Sequence, residues 1–208
     1  MTGPQENVWV AAVRANPDHP RQYAERWRRF AEQGRDLDGE ARLLDAMADR
    51  GSRILDAGCG TGRVGGYLAA RGHEVVGVDL DPHLIDVARA EHPAGVWHVG
   101  DLAELDLQTE TAERALFDLA VCAGNVMTFL AGEERRPALR RVRAHMAPGG
   151  RFVVGFGAGR GYGFEEFLAD AAAEGWSLQG QYSTWQLHPV GEGADFLVAV
   201  LGAGGAAR

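Results

Sequence analysis

Residues 54–63 read Ile54-Leu55-Asp56-Ala57-Gly58-Cys59-Gly60-Thr61-Gly62-Arg63, and this stretch decides the fold class. Its apolar start is typical of a buried strand, and the glycines that follow predict a tight turn into a helix. Glycine lets a ligand approach the main chain closely because no Cβ intervenes. The first turn of the following helix directs its N–H groups toward such a ligand. The stretch therefore predicts a nucleotide-type site at the end of a strand.

Strands and helices alternate outward from this stretch. The predicted strands are 53–57, 74–79, 96–99, 117–122, 151–156, 176–186 and 195–201. The predicted helices of the same region are 64–71, 82–91, 133–146 and 164–174. The last two strands are joined by a short turn-rich link, which implies an antiparallel pair. We therefore expect an α/β, Rossmann-like sheet of seven strands, mostly parallel with the last strand antiparallel, and helices on both faces.

The chain outside this alternating region divides into two segments. Residues 1–50 carry a helical pattern after a breaker cluster at 16–20, with a break between two helices at 34–39, and predict an N-terminal helical extension. Residues 51–201 are then the ligand-binding domain. Residues 202–208 are small and polar, which predicts a flexible tail.

Bulk composition narrows the class of partner. The formal net charge is −8, whereas a duplex-binding surface needs a basic field, so we expect no nucleic acid partner. All 21 basic residues are arginine, which excludes lysine Schiff-base chemistry. The two cysteines lie far apart and form no metal-ligand pattern, so no metal is expected. No apolar run has the length of a membrane span and no signal peptide is evident, so we expect a cytoplasmic protein without a membrane partner. The sequence does not indicate an oligomeric state.

The glycine spacing alone leaves two cofactor classes open. Gly60, Gly62 and Gly65 satisfy G-x-G-x-x-G, and Asp79 follows about 20 residues later, as in dinucleotide-binding folds. In those folds, however, the first glycine normally follows the strand directly. A triplet that begins at Gly58 does not match the motif, because Arg63 stands where the third glycine should be. A carboxylate at Asp56 would also repel a pyrophosphate but attract an ammonium group.

The same residues resemble the first motif of the class I S-adenosylmethionine (SAM)-dependent methyltransferases, which is an acid and a small residue followed by G-x-G-x-G. Further segments resemble that family in order. They are 75–79, with an acid at the end of the second strand; 100–102, with an acid after the third; 117–122, the fourth strand; and 146–151, the link into the fifth. The resemblance covers roughly residues 53–156 and implies SAM as cofactor and S-adenosylhomocysteine (SAH) as product.

The resemblance also implies roles for residues at the strand ends. Asp79 is expected to hold both ribose hydroxyls, with Leu80 against the adenine. Asp101 and the Leu102 N–H are expected to read the edge of the adenine. The remaining implied cofactor residues are Gly58, Cys59 and Gly60 in the turn, Asp56 as an ammonium partner or a brace for the turn, and Cys122 and Ala123 through their carbonyl groups.

Two regions are expected to complete the site. Enzymes of this family place an N-terminal helix over the cofactor, so Tyr23, Trp27 and Arg28 are candidate lid residues; for the two aromatic residues a place in the core remains open. The loops after the strands supply the acceptor side. The candidate substrate-binding residues there are Asn125, Met127, Arg160, Tyr162, Trp185 and His188, with Asn125 also a candidate to orient the reaction and His188 a candidate base.

The acceptor class follows from what the loop after the fourth strand lacks. It has no Asn/Asp-Pro-Pro-aromatic motif, which many nucleic-acid and protein amine methyltransferases carry there, and no acid adjacent to Asn125 for a metal-assisted reaction. The prediction is methyl transfer to a small-molecule acceptor. A nicotinamide-dependent oxidoreductase and a non-catalytic SAM-binding protein remain the alternatives.

Overall fold

Alternating strands and helices build one sheet in this computed structural model, which describes residues 6–204. The strands are β1 (Arg53–Ala57), β2 (Glu74–Asp79), β3 (Val96–Val99), β4 (Phe117–Cys122), β5 (Met146–Gly157), β6 (Ser177–Tyr182) and β7 (Phe196–Gly202). The helices are α1 (Val8–Ala15), α2 (His19–Glu32), α3 (Gly39–Met47), α4 (Arg63–Ala70), α5 (Pro82–Glu91), α6 (Val126–Phe129), α7 (Gly132–Ala144) and α8 (Phe164–Ala173), with a 3-10 turn at Leu102–Glu104.

The predicted seven-stranded sheet is confirmed, and its strand order is β3-β2-β1-β4-β5-β7-β6. The pairs from β3 to β5 are parallel, and β7 runs antiparallel to both β5 and β6. β2 lies on one side of β1 and β4 lies on the other, so the strand order reverses at β1. Ligands of open α/β sheets bind at such a reversal of strand order, beyond the carboxyl ends of the strands.

Helices cover both faces of the sheet, as predicted. On one face Leu139 of α7 and Phe167 of α8 pack against Phe152 and Phe156 of β5. On the other face a second cluster contains Ile54 of β1, Leu68 of α4, Ile85 of α5 and Leu44 of α3. Full burial of each such side chain contributes about 1.5–3 kcal/mol, which makes the sheet a rigid support for the loops at its edge.

The largest differences from the predicted element boundaries are at β5 and β6. Helix α7 ends at Ala144, and the strand that follows already begins at Met146, although Pro148-Gly149-Gly150 predicts a break there. Met146 pairs with Phe117, the pairing lapses, and it resumes at Arg151 with Leu119. The breaker residues therefore form an irregularity within β5 rather than a loop before it. Strand β6 ends at Tyr182, four residues before its predicted end.

The three N-terminal helices pack in two different places. α1 and α2 pack above the sheet edge, where Ala24 contacts Leu84 and Val87 of α5. α3, in contrast, packs against α4 and buries Ala41 and Leu44 completely in the second cluster, on the face of the sheet that contains Ile54. Only α1 and α2 are thus placed as a cover, and the proposed division at residue 50 stays a prediction.

The C-terminal end is also more ordered than a tail. Gly202 pairs with Arg151 as part of β7, and the Ala203 N–H donates to the Gly150 carbonyl at 3.0 Å. Residues 205–208 of the predicted tail lie outside the described residues. Among the residues that the structure describes, no helix combines the length and apolar character needed to cross a bilayer.

Candidate functional site

The turn after β1 folds back onto β2 and exposes main chain. The N–H groups of Gly58 and Cys59 both donate to the Val78 carbonyl, at 2.8 and 3.0 Å. Gly58 has a φ of +81°, and a Cβ at this position would lie 2.5 Å from Cγ1 of Val126. Glycine is required here because both the backbone conformation and the wall formed by Val126 exclude a side chain.

Asp79 ends β2 beside this turn. Its Oδ2 accepts a hydrogen bond from the Gly60 N–H at 2.8 Å, and its Oδ1 accepts one from the Asp81 N–H at 2.9 Å. Burial raises the pKa of the Asp79 carboxyl above its ordinary value. Two backbone donors therefore fix the direction of this carboxylate. Asp101, after β3, is held similarly, since its Oδ1 accepts from the Ala103 N–H at 2.8 Å.

A cleft of about 620 Å³ lies over the carboxyl ends of β1, β2 and β4, and we call it the strand-end cleft. The predicted cofactor residues that line it are Tyr23, Gly58, Gly60, Asp79, Leu80, Asp101, Leu102 and Ala123. Eight further residues, which were not among the predicted cofactor residues, also line it: Asn7, Trp9, Leu84, Gly100, Gly124, Val126, Phe129 and Leu130.

Helix α1 closes one side of this cleft through two polar contacts that the sequence analysis missed. The indole Nε1 of Trp9 donates to Oδ2 of Asp81 at 2.9 Å, and the Asn7 side-chain amide donates to Oε2 of Glu134 at 3.0 Å. Asn7 also caps α1, because its Oδ1 accepts from the Trp9 N–H at 3.1 Å. An Asn before a short apolar run is a recognised helix-start signal, so α1 was detectable, but its contacts with Asp81 and Glu134 were not.

A smaller pocket of about 370 Å³ continues from the strand-end cleft under α2, and we call it the loop pocket. Its polar side chains come from Asp56, Thr61 and Arg63. The Arg63 guanidinium lies 4.7 Å from the centre of the Trp27 ring and donates to both carboxylate oxygens of Glu40, at 2.9 and 3.1 Å. It also donates to the Leu37 carbonyl.

Asp56 is the acid that lines this pocket, and only 2% of its surface is exposed. Its Oδ2 accepts a hydrogen bond from the Gly65 N–H at 2.9 Å, which braces the turn against the first turn of α4. Loss of solvation raises the pKa of the Asp56 carboxyl to about 7, even though the Gly65 N–H and the Arg63 charge act in the opposite direction. The acid thus has a bracing role in the structure, and its charge state changes near neutral pH.

A third cavity, of about 1300 Å³, lies between α1, α2 and the loops after β4 and β5; we call it the aromatic chamber. Six of the residues that line it are Trp, Tyr or Phe: Trp9, Tyr23, Trp27, Phe129, Trp185 and Phe196. The predicted acceptor residues that line it are Asn125, Arg160 and Trp185. Asn125 uses its Oδ1 to accept the Gly157 N–H at 2.8 Å, which ties the loop after β4 to the end of β5.

Tyr23 and Gly124 line all three cavities. The strand-end cleft, the loop pocket and the aromatic chamber therefore meet at one place, between α2 and the end of β4. Burial raises the pKa of the Tyr23 hydroxyl, so this group is a hydrogen-bond donor at neutral pH. A ligand that fills the first two cavities therefore lies next to the third at this junction.

Several predicted site residues lie elsewhere, and the first correction concerns the lid. Arg28 does not face the strand-end cleft or the loop pocket. Its Nε donates to Oε1 of Glu91 at 2.7 Å on the outer side of α2, because this helix turns the Tyr23 and Trp27 face inward.

Two predicted acceptor residues belong to the core. Met127 is 2% exposed and packs within the main cluster. Tyr162 is 1% exposed, stacks on Phe156 and donates its hydroxyl to Oδ2 of Asp170 at 2.8 Å. Neither lines any of the three cavities, because the loop after β5 turns Tyr162 back beneath α8.

The predicted base is misplaced as well. His188 is exposed, pairs through Nδ1 with the Thr184 hydroxyl at 2.8 Å, and lines none of the three cavities. Of the two cysteines, both predicted to contact the cofactor, Cys59 lines the loop pocket and Cys122 does not. Burial raises the pKa of both, and Cys122, at 1% exposed, packs in the core and lines none of these cavities.

The structure also decides how the glycine triplet is used. Cβ atoms at Gly62 and Gly65 would lie 3.0 and 2.9 Å from Cη2 of Trp97. These two glycines therefore allow α4 to approach β3, and they line neither the strand-end cleft nor the loop pocket. Gly62, the second glycine of the triplet, would approach the pyrophosphate in a dinucleotide fold, but it lines neither cavity here, so the geometry does not favour a dinucleotide site at Gly60, Gly62 and Gly65.

Comparisons with known proteins identify the family of the chain. The family described as "Methyltransferase domain" matches residues 54–150. A solved structure of a TehB-like SAM-dependent methyltransferase from Corynebacterium glutamicum is 50% identical, with a TM-score of 0.85, over 89% of this chain and 98% of that one.

Curated relatives match over shorter regions. Magnesium-protoporphyrin O-methyltransferase from Rhodobacter capsulatus is 42% identical over 37% of this chain and 37% of its own length. A dTDP-3-amino-3,6-dideoxy-alpha-D-glucopyranose N,N-dimethyltransferase from Streptomyces fradiae is 33% identical over 58% of this chain and 47% of its own length. The chain spans less than half the length of these two curated relatives, whose named acceptors differ from one another.

Proposed function

The chain belongs to the SAM-dependent methyltransferases, and from this premise we propose that it transfers the methyl group of SAM to a small-molecule acceptor held in the aromatic chamber. The observation that supports this most is the junction at Tyr23 and Gly124. There, a cleft suited to a nucleoside and a pocket suited to an amino acid open onto a separate apolar chamber. A protein that only bound SAM would have no use for the third cavity.

The strand-end cleft fits the adenosine part of SAM. Asp79, held by two backbone donors, is proposed to accept from the ribose hydroxyls. Asp101 retains one oxygen that does not cap the 3-10 turn and is proposed to accept from the adenine amino group. Leu80 and Leu102 supply apolar surface for the ring, and Ala123 supplies the opposite wall.

The loop pocket fits the methionine part, which carries an ammonium and a carboxylate. The pocket is lined by an acid, Asp56, and a cationic side chain, Arg63, together with the bare main chain at Gly58. Opposite charges in a pocket with little solvent stabilise a zwitterion more than either charge alone. Thr61 adds a hydroxyl that can donate to the carboxylate.

When bound, SAM supplies a methyl group on a positively charged sulfur, and the acceptor atom displaces it while the bonding pair stays on sulfur to give SAH. The protein contributes alignment of the two molecules and exclusion of water. Trp9, Tyr23 and Phe129, which separate the cleft from the chamber, are placed to do both. The Tyr23 hydroxyl orients the acceptor as a donor and does not serve as a base, since burial raises its pKa.

Calorimetric titration of the purified protein with SAH and with NADH tests the cofactor site. We expect micromolar binding of SAH and none of NADH. Asp79→Ala should abolish SAH binding, whereas Asp86→Ala, an exposed acid on α5, should leave it within a factor of two. Circular dichroism of both variants separates a lost site from a lost fold. Unchanged SAH binding by the folded Asp79→Ala protein overturns the site assignment.

Turnover distinguishes an enzyme from a binding protein. With SAM carrying a labelled methyl group, we expect label transfer to compounds in a small-molecule fraction of a cell extract, and this transfer should require the protein. SAH binding without any transfer would favour the non-catalytic alternative. Label that appears in nucleic acid or protein fractions instead would contradict the proposed acceptor class.

A further inference from the structure

The aromatic chamber carries charge as well as apolar surface. Its walls include the six aromatic rings described above, which favour a ligand with a flat or otherwise apolar body. Two guanidinium groups, those of Arg26 and Arg160, also line it. They come from parts of the chain that are far apart in sequence, α2 and the loop after β5.

Both arginines keep their charge available. Within residues 6–204, no carboxylate lies within 4.0 Å of either guanidinium. Arg26 instead lies over the Tyr23 ring, 5.0 Å from its centre. The one acid that lines the chamber, Glu40, is neutralised by Arg63 at 2.9 Å. The chamber is therefore electropositive in a protein whose formal net charge is −8.

Each of the two positive groups lies near a residue of the junction. Arg26 covers Tyr23, which lines all three cavities. Nε of Arg160 would lie 3.3 Å from a Cβ at Gly157, and the Gly157 N–H is bound by Asn125, the neighbour of Gly124. A group that contacts both arginines thus lies beside the place where the methyl group is transferred.

We propose that the acceptor is an organic anion with an apolar body, whose acidic group is held between Arg26 and Arg160 while its body packs on the aromatic walls. This inference rests on the proposed function. A guanidinium binds carboxylate and phosphate oxygens through paired, charge-assisted hydrogen bonds, which a neutral acceptor cannot reproduce. An inorganic anion would satisfy the arginines but leave the aromatic surface unused.

Binding of matched pairs of compounds to the SAH-saturated protein tests this proposal by calorimetry. The probes are benzoate, 2-naphthoate and 4-phenylbutyrate, each paired with its neutral amide, and acetate as an anion without an apolar body. We expect at least one acid to bind about tenfold tighter than its amide and far tighter than acetate. Arg26→Gln and Arg160→Gln should each weaken binding of the acid about tenfold and leave the amide unaffected.

Arg29→Gln is the control, because Arg29 is an exposed arginine on the same helix that lines none of the three cavities. It should change neither acid nor SAH binding. If no acid binds tighter than its amide, or if the two arginine variants lose nothing, the anionic acceptor is wrong. If SAH itself fails to bind to the wild-type protein, the proposed function fails first, so the two outcomes are separate.

Discussion

Trp9 of α1 donates its indole N–H to Oδ2 of Asp81 at 2.9 Å, across one side of the strand-end cleft. Oδ1 of the same carboxylate caps α5 by accepting from His83 and Leu84 N–H groups at 2.9 and 3.2 Å. Asp81, which is fixed by its cap on α5, thus holds α1, a helix in which no residue is fully buried. The Trp9 ring also contacts Tyr23 and Phe129, so this hydrogen bond and the aromatic contacts together hold α1 against the cleft.

Trp9→Phe keeps an aromatic ring, although a smaller one, against Tyr23 and Phe129 and removes the donor. A hydrogen bond to a charged acceptor contributes about 1.5–3 kcal/mol, and partial exposure reduces this. We expect SAH to dissociate about five- to tenfold faster, measured by stopped-flow tryptophan fluorescence, with little change in thermal stability.

Asn7→Asp provides a second, independent test of the same cover. It preserves the cap on α1 but places a carboxylate against Oε2 of Glu134, which repels it. It should also accelerate SAH dissociation. Unchanged dissociation in both variants would show that α1 does not control the cleft.

The cofactor side was largely predictable: Gly58, Asp79 and Asp101 were expected from the resemblance to the family. They line one cleft because they lie at or just after the ends of strands that share one edge of a parallel sheet. The acceptor side was not. His188 and Tyr162 also follow strands, yet one points to solvent and the other into the core, since loop conformation alone decides which way they face. Trp9 was missed because its partner lies 72 residues away along the chain.

Asp56→Asn should change the pH dependence of stability. The Asp56 pKa, raised to about 7 from an ordinary value near 3.8, means that the folded protein holds a proton that the unfolded chain releases over this interval. The stabilisation that this bound proton gives to the folded state is complete below about pH 4 and is lost as the pH rises through 7. The asparagine amide cannot titrate, and its oxygen still accepts from Gly65.

We therefore expect the free energy of unfolding of the wild type, relative to Asp56→Asn, to fall by about 2 kcal/mol between pH 5 and pH 7.5, measured by urea denaturation. Asp86→Asn, which changes an exposed acid, is the control. The free energy of unfolding of the wild type relative to this variant should show no such fall over the same pH range. Parallel pH profiles of wild type and Asp56→Asn would contradict the buried, proton-holding acid.

Tyr162→Phe should affect stability and not function. The substitution removes the hydroxyl that donates to Asp170 and leaves that carboxylate oxygen short of a partner, which costs about 1–3 kcal/mol. The ring and its stack on Phe156 remain. Thermal unfolding should report the loss, while SAH affinity stays within a factor of two; a large loss of binding would place Tyr162 in the site after all.

The contact between Gly58 and Val126 can be tested by a double-mutant cycle. Gly58→Ala places a Cβ 2.5 Å from Cγ1 of Val126 and forces a residue with a side chain to a φ of +81°. The left-handed backbone costs about 1–2 kcal/mol, and the overlap costs about 1–3 kcal/mol more. Gly51→Ala is the matched control: its φ is +74° and a Cβ there meets nothing within 4 Å, so only the backbone cost should appear.

Val126→Ala removes the atoms that overlap. In the Gly58→Ala background it should restore about 1–3 kcal/mol of the free energy of unfolding, although alone it destabilises the protein, so the cycle has a favourable coupling energy. SAH affinity should recover only in part, because the new methyl group still occupies main-chain surface where the ligand approaches. Additive effects on stability would mean that the turn after β1 does not rest against α6, and that the floor of the strand-end cleft is built differently from the geometry described above.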